Sequence, residues 1–193
     1  METTQRKYKL VPFLSSGKIQ SMCKNLAEQI NKDYQKYTVK TPDEHVSPQI
    51  VAICILKGGL FFIADTLRHI NIPFFIDFVK LSSYGKETKS SGTVTLVQDI
   101  DINVTGKHVI IFEEIVDSGK TLTFYINKLA ASKPASIKVC TLIDKKTCRH
   151  PESNVAPDYF GMVADKEFLV GYGLDHAEQY RNLPDIYQLK ELN

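Results

Sequence analysis

The run IVAICIL, Ile50 to Leu56, is apolar without interruption and rich in β-branched residues. So short a run, with no polar residue to mark an outer face, suits a strand buried on both faces. Such strands belong to sheets covered by helices on both sides, and this constrains the rest of the chain. A second run, KHVIIF (Lys107–Phe112), has the same character. After IVAICIL, a Lys57-Gly58-Gly59 turn leads into LFFIADTL, expected to be a helix with Leu60, Ile63, Ala64 and Leu67 inward, and Pro73 ends the connection. After KHVIIF, a VDSGKT turn precedes a helix carrying Leu122, Tyr125, Ile126 and Leu129 inward, and SIKVCTLID (136–144) is the next strand. This alternation of strand and helix is what a mainly parallel α/β sheet requires. Ligands in such sheets sit at the carboxyl ends of the strands.

Ahead of these units, Ile19, Met22, Cys23, Leu26, Ala27 and Ile30 fall on one helical face, with Ser15 or Ser16 placed to cap. FFIDFVKL (74–81) and TVTLVQDI (93–100) read as strands joined by SSYGKETKSSG, a long polar loop of the kind that serves as a lid. Beyond residue 150 the pieces DYFGMVA, FLVGYGLD and IYQLK are short and extended, and are expected to cap the sheet rather than extend it. With 193 residues, 43% of them hydrophobic, one domain is expected.

The 24 basic and 22 acidic residues nearly cancel, which argues against nucleic acid as a partner and makes any anion site local. Cys23, Cys54, Cys140 and Cys148 form no Cys-x-x-Cys pair, and the histidines stand apart without metal-ligand spacing. Free thiols, no apolar run after the charges of METTQRKYKL, and no stretch of the ~20 apolar residues that span a bilayer lead to the expectation of a cytoplasmic protein without a membrane segment.

The chemistry concentrates in FEEIVDSGKT (112–121). The first amides of a helix are unpaired and carry partial positive charge, so those around Ser118 to Thr121, with the Ser118 and Thr121 hydroxyls, suit one terminal phosphate. A simple helix cap made by Asp117 or Ser118 is the alternative. A nucleotide-hydrolase P-loop needs glycine five positions before the glycine of Gly-Lys-Thr, and here that position is Glu114. Glu113 and Glu114 would repel a bare polyphosphate, but they accept hydrogen bonds from sugar hydroxyls and can hold the water shell of a magnesium ion. Taken alone they also read as a solvated strand end. A ribose beside a phosphate satisfies both halves of the stretch, and Asp117 at its mouth is placed to take a proton from a base on that ribose. Lys57-Gly58-Gly59 offers a second anion turn, pointing to a ligand with phosphates at both ends, although such a tripeptide is often only a turn.

VIIFEEIVDSGKTL (109–122) shows an apolar strand, two acidic residues, two apolar residues and Asp-Ser-Gly-Lys-Thr-Leu, and with these residues the chain resembles the hypoxanthine-guanine phosphoribosyltransferases of the type I class. The likeness extends over ILKGGLFFIADTL, FVKLSSYGKETKSSG and PDYFGMVADKEFLVGYGLDHAEQYRNLPDIY, and is looser in the N-terminal part. It implies a core of about residues 35–165 and a small hood from about 1–34 and 166–193. It further implies magnesium-dependent transfer of 5-phosphoribosyl from phosphoribosyl pyrophosphate to N9 of hypoxanthine and guanine, with xanthine left open, and a homodimer or homotetramer.

By the same resemblance Ser118, Gly119, Lys120 and Thr121 hold the 5′-phosphate, Glu113 and Glu114 the ribose hydroxyls, and Asp117 the purine N7 proton. Lys57 and Gly58 form a pyrophosphate loop with a non-proline cis peptide, Arg181 binds pyrophosphate, and Ser83 and Tyr84 begin the lid. Lys145 donates to the purine 6-oxygen, Phe168 stacks on the ring, Leu169 offers main-chain groups to its edge, and Asp175 is associated with the metal. Adenine is expected to be poor, because its 6-amino group offers Lys145 no acceptor. Glu114 departs from the family's usual aspartate by one methylene. A nucleotide-sensing regulator would need only the phosphate turn, whereas Asp117, Lys145 and the Ser83-Tyr84 pair are all present here. Asp117→Asn is expected to keep the fold and the binding of phosphoribosyl pyrophosphate while lowering turnover by roughly 10²-fold or more. Unchanged turnover in steady-state assays would reject Asp117 as the base.

Overall fold

The structure is a computed structural model that describes residues 8–37, 39–40, 46–83 and 94–192. Its elements in chain order are β1 (Tyr8–Leu14), α1 (Ser16–Tyr34), β2 (Val39–Lys40), β3 (Val46–Ser47), β4 (Ile50–Leu56), α2 (Leu60–Leu67) and β5 (Phe75–Ser83). Then follow β6 (Val94–Gln98), β7 (His108–Val116), α3 (Lys120–Ala130), β8 (Ser136–Asp144), β9 (Tyr159–Val163), β10 (Leu169–Val170) and β11 (Ile186–Glu191). The main sheet has the order β6-β5-β4-β7-β8-β9. All its pairings are parallel except β5 with β6.

The two apolar runs occupy the middle of this sheet, where both faces are covered. Ile50, Ala52, Cys54, Ile110, Phe112 and Leu142 join a core with α1 and α2. Their alternates Val51, Ile53, Ile55, Val109, Ile111 and Val139 pack with Leu122, Tyr125 and Leu129 of α3. A period-two strand with helices on both sides can bury every residue, which explains the unbroken apolar pattern. This is the mainly parallel, helix-covered sheet expected from the sequence.

Register brings the functional turns to one edge. Cys54 lies beside Phe112, and Phe112 beside Cys140. Further along, Leu56 pairs with Lys80, Val116 with Asp144, and Asp144 with Val163. The segments after β4, β7 and β8 therefore leave the sheet side by side.

Three features differ from the sequence expectations. DYFGMVA is not a cap: Tyr159–Val163 is β9, the sixth strand, parallel to β8. It is a short edge strand whose Gly161 lies so close to β8 that a Cβ there would sit 2.8 Å from the Leu142 carbonyl oxygen. Second, the inward face of α2 is Phe62, Ile63, Thr66 and Leu67, with Leu60 exposed. LFFIADTL is apolar on nearly every side, so its phase is set by packing, including Phe62 against Phe112 with ring centroids 6.0 Å apart. Third, Tyr8–Leu14, to which no element is assigned from the sequence, is a strand. It sits at the edge of a separate antiparallel sheet, β1-β11-β10, with a register shift between Pro12 and Leu14, where proline is tolerated.

That second sheet is the hood, tied to α1 by the Ser16 amide donating to Asp185 Oδ1 at 2.6 Å. The segment between β5 and β6, with Tyr84 and the expected lid, lies outside the described residues. Phe112 has no exposed surface and sits between Cys54 and Cys140 in the sheet. Phe112→Ala is expected to cost about 3–5 kcal/mol of unfolding free energy in urea titrations; a loss below about 1 kcal/mol would contradict this packing.

Candidate active site

The turn after β7 leaves the head of α3 without a side-chain cap. Gly119 takes φ of +75°, left-handed, and is the N-cap of α3, which receives no side-chain cap. Glycine serves here twice over, because a Cβ would also lie 2.3 Å from Ser153 Oγ. The Gly119 carbonyl accepts from the Thr123 amide and from Thr123 Oγ1, each at 2.9 Å. Asp117 makes no cap, and Ser118 makes only a long contact, 3.5 Å from the Lys120 amide to its Oγ. The amides at the head of α3 are thus not consumed by a cap, and a helix start of this kind can accept an anion.

The turn after β4 carries a cis peptide between Leu56 and Lys57. Gly58 lies directly under the longer acidic side chain: a Cβ there would be 1.7 Å from Glu114 Oε1. On its other side the Gly58 carbonyl oxygen would be 2.0 Å from a Cβ on Gly173, whose own φ is +96°. Glu114 is 7% exposed. Its Oε2 and that of Glu113 are buried without a hydrogen-bond partner, although Glu113 as a residue is only half-buried. Burial, and then the neighbouring Glu114 charge, push the Glu113 carboxyl well above the usual carboxylate range. Burial likewise raises Glu114 to about 7, with Arg181 pulling the other way and Asp175 adding to the rise.

Hood residues close this side. Arg181 reaches the Gly173 carbonyl at 2.7 Å, Asp175 Oδ1 at 2.7 Å and Glu178 Oε1 at 3.2 Å. Glu178 Oε2 also accepts from Lys57 Nζ at 2.7 Å. Both predicted pyrophosphate cations, Lys57 and Arg181, therefore share one carboxylate, and their hydrogen bonds, then their charges, hold Glu178 below its ordinary pKa. Asp175 Oδ2 accepts from the Glu178 amide at 2.8 Å. Among the described residues no group of three or more His, Cys, Asp or Glu is arranged to hold a metal ion. The fit for magnesium lies in the oxygen chemistry and the free buried oxygens of Glu113 and Glu114, since this ion is commonly held by one or two carboxylates together with substrate oxygens.

On the far side of the phosphate turn, Lys145 follows β8 and is 5% exposed, with Nζ 3.6 Å from Oδ2 of the exposed Asp117. Phe168 is 52% exposed and stands edge-on to His176, with ring centroids 5.6 Å apart. The Leu189 amide donates to the Phe168 carbonyl at 2.8 Å, and Leu169 is paired with Gln188. Pairs alternate along an antiparallel ladder, so the Leu169 amide and carbonyl face away from β11, free for a ligand edge. Ser83 ends β5, and Tyr84 lies outside the described residues. Glu178, Asp144 and Arg149 are site neighbours that sequence reasoning did not single out. A lone glutamate in a loop and an Asp–Arg pair across a turn carry no motif.

Comparison with known proteins decides the family. The profile of the phosphoribosyl transferase domain matches residues 14–177. The chain belongs to the hypoxanthine-guanine phosphoribosyltransferase family. It is 40% identical over 163 residues to the hypoxanthine-guanine phosphoribosyltransferase of Bacillus subtilis, covering 84% of this chain and 89% of that protein. It is 38% identical to the hypoxanthine phosphoribosyltransferase of Buchnera aphidicola, over 93% of this chain and 96% of the relative. A crystal structure of a hypoxanthine-guanine phosphoribosyltransferase from Bacillus anthracis aligns with a TM-score of 0.81 at 38% identity, covering 95% of this chain and 99% of that one. As a member of this family the chain is a phosphoribosyltransferase enzyme.

The raised Glu114 carboxyl has a consequence for stability. Its pKa is about 7 when folded against an ordinary 4.5, so between these values the folded chain holds more of the proton than the unfolded one. Stability from this group is complete below about 4.5 and is lost as pH rises through about 7. Glu114→Gln should therefore melt increasingly above the ligand-free wild type as pH rises across that window in scanning calorimetry. A melting difference independent of pH would contradict the assignment.

Proposed function

We propose that the chain catalyses purine salvage, transferring 5-phosphoribosyl from phosphoribosyl pyrophosphate to N9 of hypoxanthine or guanine and yielding IMP or GMP plus pyrophosphate. The observation that carries this reading is Asp117 Oδ2 lying 3.6 Å from Lys145 Nζ beside an uncapped helix start. In a 6-oxopurine, N7 and the 6-oxygen lie on the same edge. A carboxylate and an ammonium side by side match that edge, with Lys145 donating to the 6-oxygen and Asp117 accepting the N7 proton. Phe168 stacks on the ring, and the free amide and carbonyl of Leu169 address the opposite edge.

The amides of Ser118 to Thr121 and the Ser118 and Thr121 hydroxyls bind the 5′-phosphate, with Lys120 adding charge. Glu113 and Glu114 accept the ribose hydroxyls, which gives their unpartnered buried oxygens donors. Lys57, the Gly58 turn and Arg181 receive pyrophosphate, which displaces Glu178 from both cations. Asp175 and the glutamate pair would hold magnesium, which when bound would supply neutralising charge to the pyrophosphate group. In the chemical step the bond from C1′ to pyrophosphate oxygen breaks, the bond from C1′ to N9 forms, and the N7 proton passes to Asp117. Cationic character at C1′ makes water a competitor, and the segment begun by Ser83 and Tyr84 is assigned to excluding it.

A cytoplasmic homodimer or homotetramer is part of the same reading, and sedimentation of the purified protein tests the assembly. No helix among the described residues is long and apolar enough to cross a membrane. The deciding assay follows nucleotide formation from hypoxanthine, guanine, xanthine and adenine, each with magnesium and phosphoribosyl pyrophosphate. Product from hypoxanthine and guanine but not adenine is expected, and xanthine sets the breadth of the site. Tight phosphoribosyl pyrophosphate binding with no nucleotide from any base would instead establish a nucleotide-sensing regulator.

A further inference from the structure

The carbonyls of the phosphate turn are gathered from one side. The Val116 carbonyl accepts the Lys145 amide at 2.9 Å and Arg149 Nη1 at 2.8 Å. The Asp117 carbonyl accepts the same Arg149 Nη1, and the Ser118 carbonyl accepts the His150 amide at 3.0 Å. Arg149 is itself seated by Nη2 on Asp144 Oδ1, at the end of β8 where Asp144 pairs with Val116. This carboxylate is buried and the guanidinium nearly so, with side chains 1% and 14% exposed. The arginine stem packs under the turn, since a Cβ on Gly119 would lie 3.0 Å from Arg149 Cδ.

In a trans peptide the carbonyl and the next residue's amide point in opposite directions. Holding the carbonyls of Val116, Asp117 and Ser118 toward residues 145–150 therefore aims the amides of Asp117, Ser118 and Gly119 to the other side. One guanidinium fork meets two successive carbonyls and a carboxylate at once, which a lysine ammonium, a point charge on a flexible stem, does not reproduce.

We propose that Arg149, anchored on Asp144, is a positioning residue that presets the phosphate turn for the 5′-phosphate before substrate arrives. It acts through the backbone and does not touch the substrate. The proposal deepens the phosphoribosyltransferase reading and rests on it.

The test compares IMP with inosine, which differ only in the 5′-phosphate. Both are titrated by competition onto the wild type, Arg149→Lys, and the double variant Arg149→Gln/Asp144→Asn, which leaves no buried carboxylate unpaired. Circular dichroism and melting confirm which variants are folded, and the double variant serves if the lysine variant fails to fold. Wild type should bind IMP much more tightly than inosine. In the folded variants that advantage should shrink by about ten-fold or more, the scale of one lost charge-assisted hydrogen bond. A purely structural role would lower the melting temperature or active fraction and leave the IMP-to-inosine ratio unchanged, and that result overturns the proposal. Failure of the wild type to prefer IMP overturns the phosphoribosyltransferase reading, and this inference with it.

Discussion

The parallel register of β4, β7 and β8 is the constraint on which the remainder depends. Three chain segments distant in sequence must end level with one another for an anion turn, an acidic pair and a buried lysine to share one edge. Side-chain burial on both faces enforces that level. A one-residue slip of β7 would exchange Ile110 and Phe112 with Val109 and Ile111 between two differently shaped cores. The same core packing that stabilises the sheet thereby sets the spacing of the chemistry.

The site itself is assembled against the preferences of its groups. Two carboxyls in adjacent positions are buried with oxygens left unpartnered, which is costly in a protein interior and is reflected in their raised proton affinities. The longer side chain at 114 fits because the neighbouring turn contributes a residue without a Cβ. Gly58 is consequently held between a carboxylate and the backbone of Gly173, so three stretches meet at one atom-wide contact. A ligand with hydroxyl donors or a cation relieves the unfavourable state, and binding energy is directed to the place where the free protein is least comfortable.

Much of this was legible in the chain. Continuous apolar runs named the buried strands, glycine after them marked the two turns, and FEEIVDSGKT pointed to the uncapped helix start and the buried acidic pair that the structure shows. Other features lacked a local signature. β9 was misread because an edge strand need only be apolar on one side, and β1 was left unassigned because its partner, β11, lies at the other end of the chain. The rotation of α2 was set by Phe62 meeting Phe112, an event between distant segments. Arg149 and Glu178 act through contacts that only the folded chain creates, one to backbone carbonyls and one to two cations from different elements.

The shared carboxylate of Glu178 gives the free protein its own counter-ion. A tethered group of this kind stands at an effective concentration on the order of millimolar, so an incoming anion competes with it rather than with water. An anion that met only one of the two cations would leave Glu178 held by the other, whereas one that met Lys57 and Arg181 together would replace the tether at both ends.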